Sequence, residues 1–479
     1  MMWRSIGSVT VLALLLVGCG GGGGGASSPP LPPPPPPATY TVGGTVSGLV
    51  GSGLTLAICT PGPPVSFRVG YSPPACRSLL QVGANGAFTL HSTYGAGYLG
   101  SDYVAITQQP SSPNQNCLVS NEAVSIQNAN ETNVTVVCLS PFAYVTNAAD
   151  NTLSSYSVDA ITGALAVVGT PITTGASPHA ALSVDYGDGQ RFIFVGNEGS
   201  NDVSALAVSP TTGALTAVPG SPIPAGIDPQ AMTLYAGLLY VANTGSDNVS
   251  VYTIDANGAL APVSPGPSTF ATGKSPTSIV ADPYVLTYED SIIYVANHGG
   301  SNDISAFRVG TGVPTPVAGS PFPAGGNPLS LALVDTAGGP FLYSANPDAR
   351  NPSISGFSID PASGALSPLN GSPFPIPVSH YMASDQTGAY LYVTSGATIL
   401  GYAINASTGA LTALPGFPVT AGTNAYSITI DPTNQFLYVT NSGAATVSGF
   451  KLDASTGALA PMPGSPFPAG NRPGILATF

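Results

Sequence analysis

A four-residue word, Tyr144-Val145-Thr146-Asn147, returns six times with small changes: Phe194-Val195-Gly196-Asn197, Tyr240-Val241-Ala242-Asn243, Tyr294-Val295-Ala296-Asn297, Tyr343-Ser344-Ala345-Asn346, Tyr392-Val393-Thr394-Ser395 and Tyr438-Val439-Thr440-Asn441. The starts at 144, 194, 240, 294, 343, 392 and 438 lie 46 to 54 residues apart. A repeat of that length must bury its apolar face against its neighbours, so the chain is constrained to a stacked or circular array.

The same grammar surrounds each word. Upstream runs a short apolar strand that ends in Asp, as in Ser177–Asp185 and Asn424–Asp431. Downstream come a Gly/Asn/Asp-rich turn, a third strand such as Asn248–Ile254, and a Thr-Gly-Ala-Leu turn (162–165, 212–215, 408–411, 456–459) that opens a fourth. The loop word Gly-Ser-Pro-Phe-Pro-Ala-Gly (319–325, 464–470) then carries the chain back. Gly, Pro and Asn recur too often for helices, and four short strands per unit describe a propeller blade. The first unit lacks an upstream strand, while the last residues, Asn471–Phe479, look like an inner strand with no word after it. The surplus at one end fills the deficit at the other, so the expected fold is a closed, all-β, seven-bladed propeller over 141–479 that leaves no exposed sheet edge.

On these words the region resembles the YVTN-repeat propellers of bacterial surface proteins. It is similar to the wider lactonase family, which includes a 6-phosphogluconolactonase and a fungal muconate cycloisomerase. The resemblance implies the fold across every blade and leaves function to the site.

Charge narrows the partners. Only 6% of residues are charged, against 43% hydrophobic, and the net charge is −13. From Pro141 onward there are 19 acidic and 6 basic side chains, so the repeats hold the whole excess. Such a field repels nucleic acid and anionic lipid.

Ahead of the repeats, Arg4 and the apolar run Val9–Val17 read as a signal peptide, too short to span a bilayer. Leu16-Val17-Gly18-Cys19 resembles the bacterial lipobox, which implies lipidation of Cys19 after removal of 1–18. Gly20 after Cys19 implies the outer membrane in a Gram-negative host, and the Gly- and Pro-rich stretch 19–38 is a tether. The expected protein is therefore a monomer of the bacterial cell envelope, touching the membrane only through its lipid and meeting an unknown envelope or extracellular ligand.

Residues 39–140 read as a small β-sandwich, with strands at Tyr40–Val46, Leu54–Ile58, Ala87–Leu90, Tyr103–Thr107 and Val134–Val137, and a type I′ hairpin at Asn85-Gly86. Gly44–Leu49, Ala84–Phe88 and Cys117–Asn121 resemble immunoglobulin-like modules of bacterial lipoproteins. Four cysteines allow three pairings. Export favours disulfides, and the preferred pairs are Cys59–Cys76 and Cys117–Cys138. Gly95–Gly100 matches a dinucleotide-type glycine pattern without a helix after it and is a β-loop.

In this topology the loops that enter the inner strands and those that follow the repeated words share one face. It gathers His179, Gln230, Thr277 and His380 from the first set, with Glu198, His298, Asp348 and Arg350 from the second. A lactonase needs a base for water and a donor for the oxyanion. The family resemblance implies His179 and Glu198 for those roles, though the basic residues expected beside them are mostly absent. The aspartates that end inner strands (Asp185, Asp282, Asp335, Asp385, Asp431) suit turn capping better than calcium. No metal or cofactor is expected. A binding or structural surface module is the leading expectation, and an exported lactone hydrolase is the alternative. Palmitate labelling of the expressed protein should be lost in Cys19→Ser; wild type released unlabelled into the medium would refute the lipid anchor.

Overall fold

The structure is a computed structural model that describes residues 40–60, 75–94, 102–111, 115–124, 129–186, 189–264, 268–282, 291–310, 314–348, 350–377 and 380–479. The signal peptide, Cys19 and the tether lie outside these residues, as do the Pro-rich excursion after Thr60 and the loop 95–100.

Seven five-stranded sheets form the ring, and each sheet is one repeat unit. Within a blade the order is inner strand, repeated word, third strand, outer strand, all antiparallel; Pro178–Asp185, Arg191–Asn197, Asp202–Val208 and Leu215–Ala217 make the second. The ring closes as the sequence requires. Pro473–Thr478 pairs antiparallel with Phe142–Asn147, setting Leu476 opposite Val145 and Thr478 opposite Ala143. Asn471 also binds the Asp150 carboxylate through its backbone N–H and its amide.

The loop word proves to be more than a connection. Its Phe-Pro pair forms a short fifth strand on the third, as Phe322–Pro323 does against Asp303–Val309. Between the two outer segments the ladder is interrupted, and the serine of Gly-Ser-Pro fills the gap. Ser221, Ser320, Ser372 and Ser465 each accept, through Oγ, the backbone N–H of Ala205, Ala306, Gly356 and Gly449, at 2.7 to 3.0 Å. A buried N–H left unpaired would cost about 1–3 kcal/mol, so the word is selected by the backbone it satisfies.

Blade-to-blade adhesion runs through the repeated word. Tyr144, Tyr294, Tyr343, Tyr392 and Tyr438 are fully buried, and each phenol donates to a glycine carbonyl in the next blade: Gly213, Gly364, Gly409, Gly457 and, across the closure, Gly163. That glycine opens the Thr-Gly-Ala-Leu turn. Gly364 has φ +75°, and a Cβ there would lie 2.5 Å from Ile292 of the preceding blade. The word's asparagine works inside its own blade, where Asn147 Nδ2 donates to Thr152 and Ser154 and its Oδ1 accepts Gly470 N–H.

The small domain packs a four-stranded and a three-stranded sheet over one cluster that includes Val42, Leu56, Ile58, Leu90, Val104 and Val136. Both disulfides form as expected, Cys59–Cys76 and Cys117–Cys138, each between directly paired strand residues. The hairpin expectation at Asn85-Gly86 is corrected. The flanking strands, Ala75–Val82 and Gly86–Tyr94, belong to different sheets. Asn85 instead spends its amide on the Leu49 backbone, accepting its N–H and donating to its carbonyl, which holds a crossover in place of a tight turn.

Tyr294→Phe should lower propeller stability by about 1–2 kcal/mol, because the buried Gly364 carbonyl loses its donor. Gly364→Ala should cost more, about 2–4 kcal/mol, through left-handed strain and overpacking. Urea denaturation of the two variants checks the order; equal midpoints to wild type would refute the clasp.

Candidate active site

The chain enters six inner strands through a non-glycine residue with left-handed backbone: Ser177, Asp228, Ser275, Asn327, Asn424 and Arg472, with φ between 51° and 61°. In five of the six a register irregularity follows directly. Pro178 pairs with Asn197 and Ala180 with Gly196, which leaves His179 without a partner in the ladder. Gln230 and Thr277 sit at the same irregularity in their blades. A bulge re-aims its extra residue, so His179, two positions after Ser177, leaves the ladder and turns toward Glu198 and Tyr426.

His179, Gln230 and Glu198 are brought together there. The His179 imidazole is buried, with Nδ1 3.1 Å from the Gln230 carbonyl and Nε2 2.8 Å from the Tyr426 hydroxyl. A carbonyl only accepts, so Nδ1 holds the proton and Nε2 accepts from Tyr426. Burial also lowers the imidazole pKa, which keeps the ring neutral. Glu198 Oε1 lies 3.9 Å from Nδ1, too far for a hydrogen bond and facing an uncharged ring, so the two are neighbours and not an ion pair. Tyr381 extends the network, with its hydroxyl 3.4 Å from both Tyr426 Oη and His179 Nε2.

Glu198 is the perturbed acid of the group. Desolvation, and then the like charge of Asp228, push its carboxyl up to about 7, while Arg472 and hydrogen bonds from Ser177 and Gln230 oppose the shift. A carboxyl with a pKa near neutrality, about a quarter exposed at its side chain, can take a proton from water or return one.

The other candidates disperse. Thr277 donates to the Pro328 carbonyl and His298 Nδ1 lies 3.1 Å from the Asn327 carbonyl, so both tie neighbouring blades together. Asp348 caps its own loop by accepting the Arg350 N–H, and Arg350 is exposed. His380 is half-buried with a lowered pKa from desolvation, and its Nδ1 has no partner among the described residues.

Four residues of the site escaped the sequence reading: Asp228, Tyr381, Tyr426 and Arg472. Arg472 alters the expectation most, because it supplies a cation within electrostatic reach of both Glu198 and His179. Superposing the repeats on their inner-strand entrances exposes three of them. Arg472 and Asp228 occupy the Ser177 slot, and Tyr426 follows Asn424-Ala425 in the His179 slot. Tyr381 lies one residue beyond that slot and has no such signal.

The raised carboxyl carries a stability signature. Both folded and unfolded chains hold this proton well below pH 4.5; between about 4.5 and about 7 only the folded chain keeps it, so stability falls as pH rises through that window. Glu198→Gln removes the penalty. Its melting temperature should exceed that of wild type by an increment that grows from acid to mildly alkaline pH, and a pH-independent difference would contradict the shift.

Comparison with known proteins supports the architecture. Residues 125–228 match the family described as Lactonase, 7-bladed beta-propeller. Among solved structures, the chain is similar to a candidate 6-phosphogluconolactonase of Bacteroides uniformis (17% identity, TM-score 0.60, covering 71% of this chain and 99% of that one). A counterpart from Bacteroides fragilis gives 18%, 0.59, 71% and 98%, and the periplasmic gluconolactonase of Pseudomonas aeruginosa 18%, 0.56, 71% and 99%. No curated protein sequence matches the chain. The ring built by residues 142–479 is a seven-bladed β-propeller with the fold of those structures.

Proposed function

We propose that the channel mouth hydrolyses a lactone, with Glu198 as the general base. The observation that carries this reading is the Glu198 carboxyl, raised to about 7 beside Gln230 and within reach of Arg472. In the reaction, Glu198 takes a proton from water as its oxygen attacks the lactone carbonyl. Negative charge collects on the carbonyl oxygen, where the exposed Arg472 guanidinium stabilises it. Collapse breaks the ring C–O bond, and the proton held by Glu198 passes to the leaving alkoxide, giving the open hydroxy acid. His179, held at both nitrogens, positions Tyr426 and the Gln230 loop and leaves proton transfer to Glu198. Asp228 beside Glu198 offsets the Arg472 charge, which disfavours a phosphorylated substrate and suits an uncharged sugar lactone of the kind named for the Pseudomonas relative.

The same engagement of His179 supports a second reading, the binding or structural module, because it withdraws the imidazole from chemistry. In either case the protein is an exported lipoprotein, a reading supported by the Cys19 context and the two disulfides.

The test is turnover of gluconolactone and a panel of uncharged lactones by the soluble Cys19→Ser chain. Activity should rise with pH through about 7 and fall at least about a hundredfold in Glu198→Gln. Arg472→Asn keeps a residue suited to φ 52°, so the fold should be unharmed or slightly stabilised while kcat drops. No turnover of any lactone, with tight binding of one, would leave the module reading in possession.

A further inference from the structure

The opposite end of the ring, where inner strands finish, holds a cleft of about 450 Å3 lined by Leu139, Val158, Arg191, Gln435, Phe436 and Phe479. It lies a strand's length from Glu198, since His179 begins the same inner strand that Asp185 ends. Its volume is that of a small-molecule site.

Arg191 is the polar anchor. The side chain is buried; its Nε donates to Asp185 at 2.8 Å and its Nη1 to the Ser140 carbonyl at 2.7 Å, while the guanidinium sits 4.9 Å over the Phe479 ring. Nη2 has no partner among the described residues, so the guanidinium on the cleft wall keeps an N–H to offer an acceptor. The Gln435 side-chain amide, likewise unpartnered among the described residues, adds a second donor on the wall.

The charge of the site selects its ligand. Asp185 neutralises Arg191, and Asp431 is saturated by its own turn, accepting the N–H groups of Thr433, Gln435 and Phe436. One cation against two carboxylates leaves the cleft with no attraction for an anion. We propose that this cleft binds an uncharged amphipathic small molecule, its apolar body between Val158, Leu139 and Phe436 and a carbonyl or hydroxyl oxygen on Arg191 Nη2 and Gln435. The assignment is independent of hydrolysis at the mouth.

The probe is prodan, an uncharged naphthyl ketone dye whose emission shifts to the blue when its carbonyl leaves water, titrated into the soluble Cys19→Ser chain. One molecule should bind with a blue shift, and the anionic dye anilinonaphthalene sulfonate at least about tenfold more weakly. Ala160→Trp, in a surface turn at the rim, should weaken prodan about tenfold by filling the cleft, and Gln435→Leu should weaken it several-fold at unchanged melting temperature. Absence of saturable binding, equal affinity for the anionic dye, or binding indifferent to both substitutions would each overturn the assignment.

Discussion

Five of the six tyrosines of the repeated word reach out of their own blade to a glycine carbonyl in the next, and the ring depends on that reach. Two energies act at the contact, and they are unequal. Burying an aromatic ring of 150–250 Å2 contributes about 4–6 kcal/mol of gross transfer energy, whereas the phenol–carbonyl bond nets about 1 kcal/mol. Adhesion is therefore apolar, and the hydrogen bond fixes which turn lies under which ring. Phe194 illustrates the division: it keeps the fully buried packing and gives up the hydroxyl. The partner must be glycine for two separate reasons, its positive φ and the side chain lying where a Cβ would go. A substitution on either side of the contact thus opens a seam between blades.

A ring with seven such seams is stable only if the last one shuts. The inner strand Pro473–Thr478 and the bond from Tyr438 to Gly163 accomplish that. The closing strand also has a chemical consequence, since Arg472 stands at its threshold. The cation that faces Glu198 is delivered by the final segment of the sequence to a site whose acid comes from the second blade. The step that completes the fold and the step that completes the site are the same one.

This explains what the sequence disclosed. The blade count and the closure were legible because both follow from words repeated along the chain and from the strand left over at its end. The serine ladder in Gly-Ser-Pro was visible as a word but not as a hydrogen bond, since the N–H it serves lies 14 to 16 residues earlier on another strand. In the small domain, Asn85-Gly86 misled because a turn-forming pair is local chemistry, and the Leu49 backbone that claims Asn85 is a tertiary partner. Ala75–Val82 went unread because its pattern lacks clean alternation, a symptom of the irregular register opposite Leu56 and Ile58. His179 and Glu198 were found together, while Arg472 and Tyr426 were hidden because their slots vary from blade to blade.

That variation is where chemistry can reside. Positions that bind blade to blade are locked by packing and cannot change character without opening a seam. The two slots at each inner-strand entrance are less constrained, since their side chains sit outside the ladder and reach the next blade only through single hydrogen bonds such as Thr277 to the Pro328 carbonyl. They accommodate Ser, Asp, Asn and Arg in the first and His, Gln, Thr and Tyr in the second. At the far end of the strands the constraint returns, because aspartates there must satisfy their turns, as Asp385 does by accepting Thr387 N–H at 3.0 Å and Tyr390 N–H at 2.7 Å. Polarity is consequently free to vary at the mouth, whereas the aspartates at the rear spend theirs on the backbone. The ring presents a titratable acid at one opening and a mostly apolar cleft at the other for that reason.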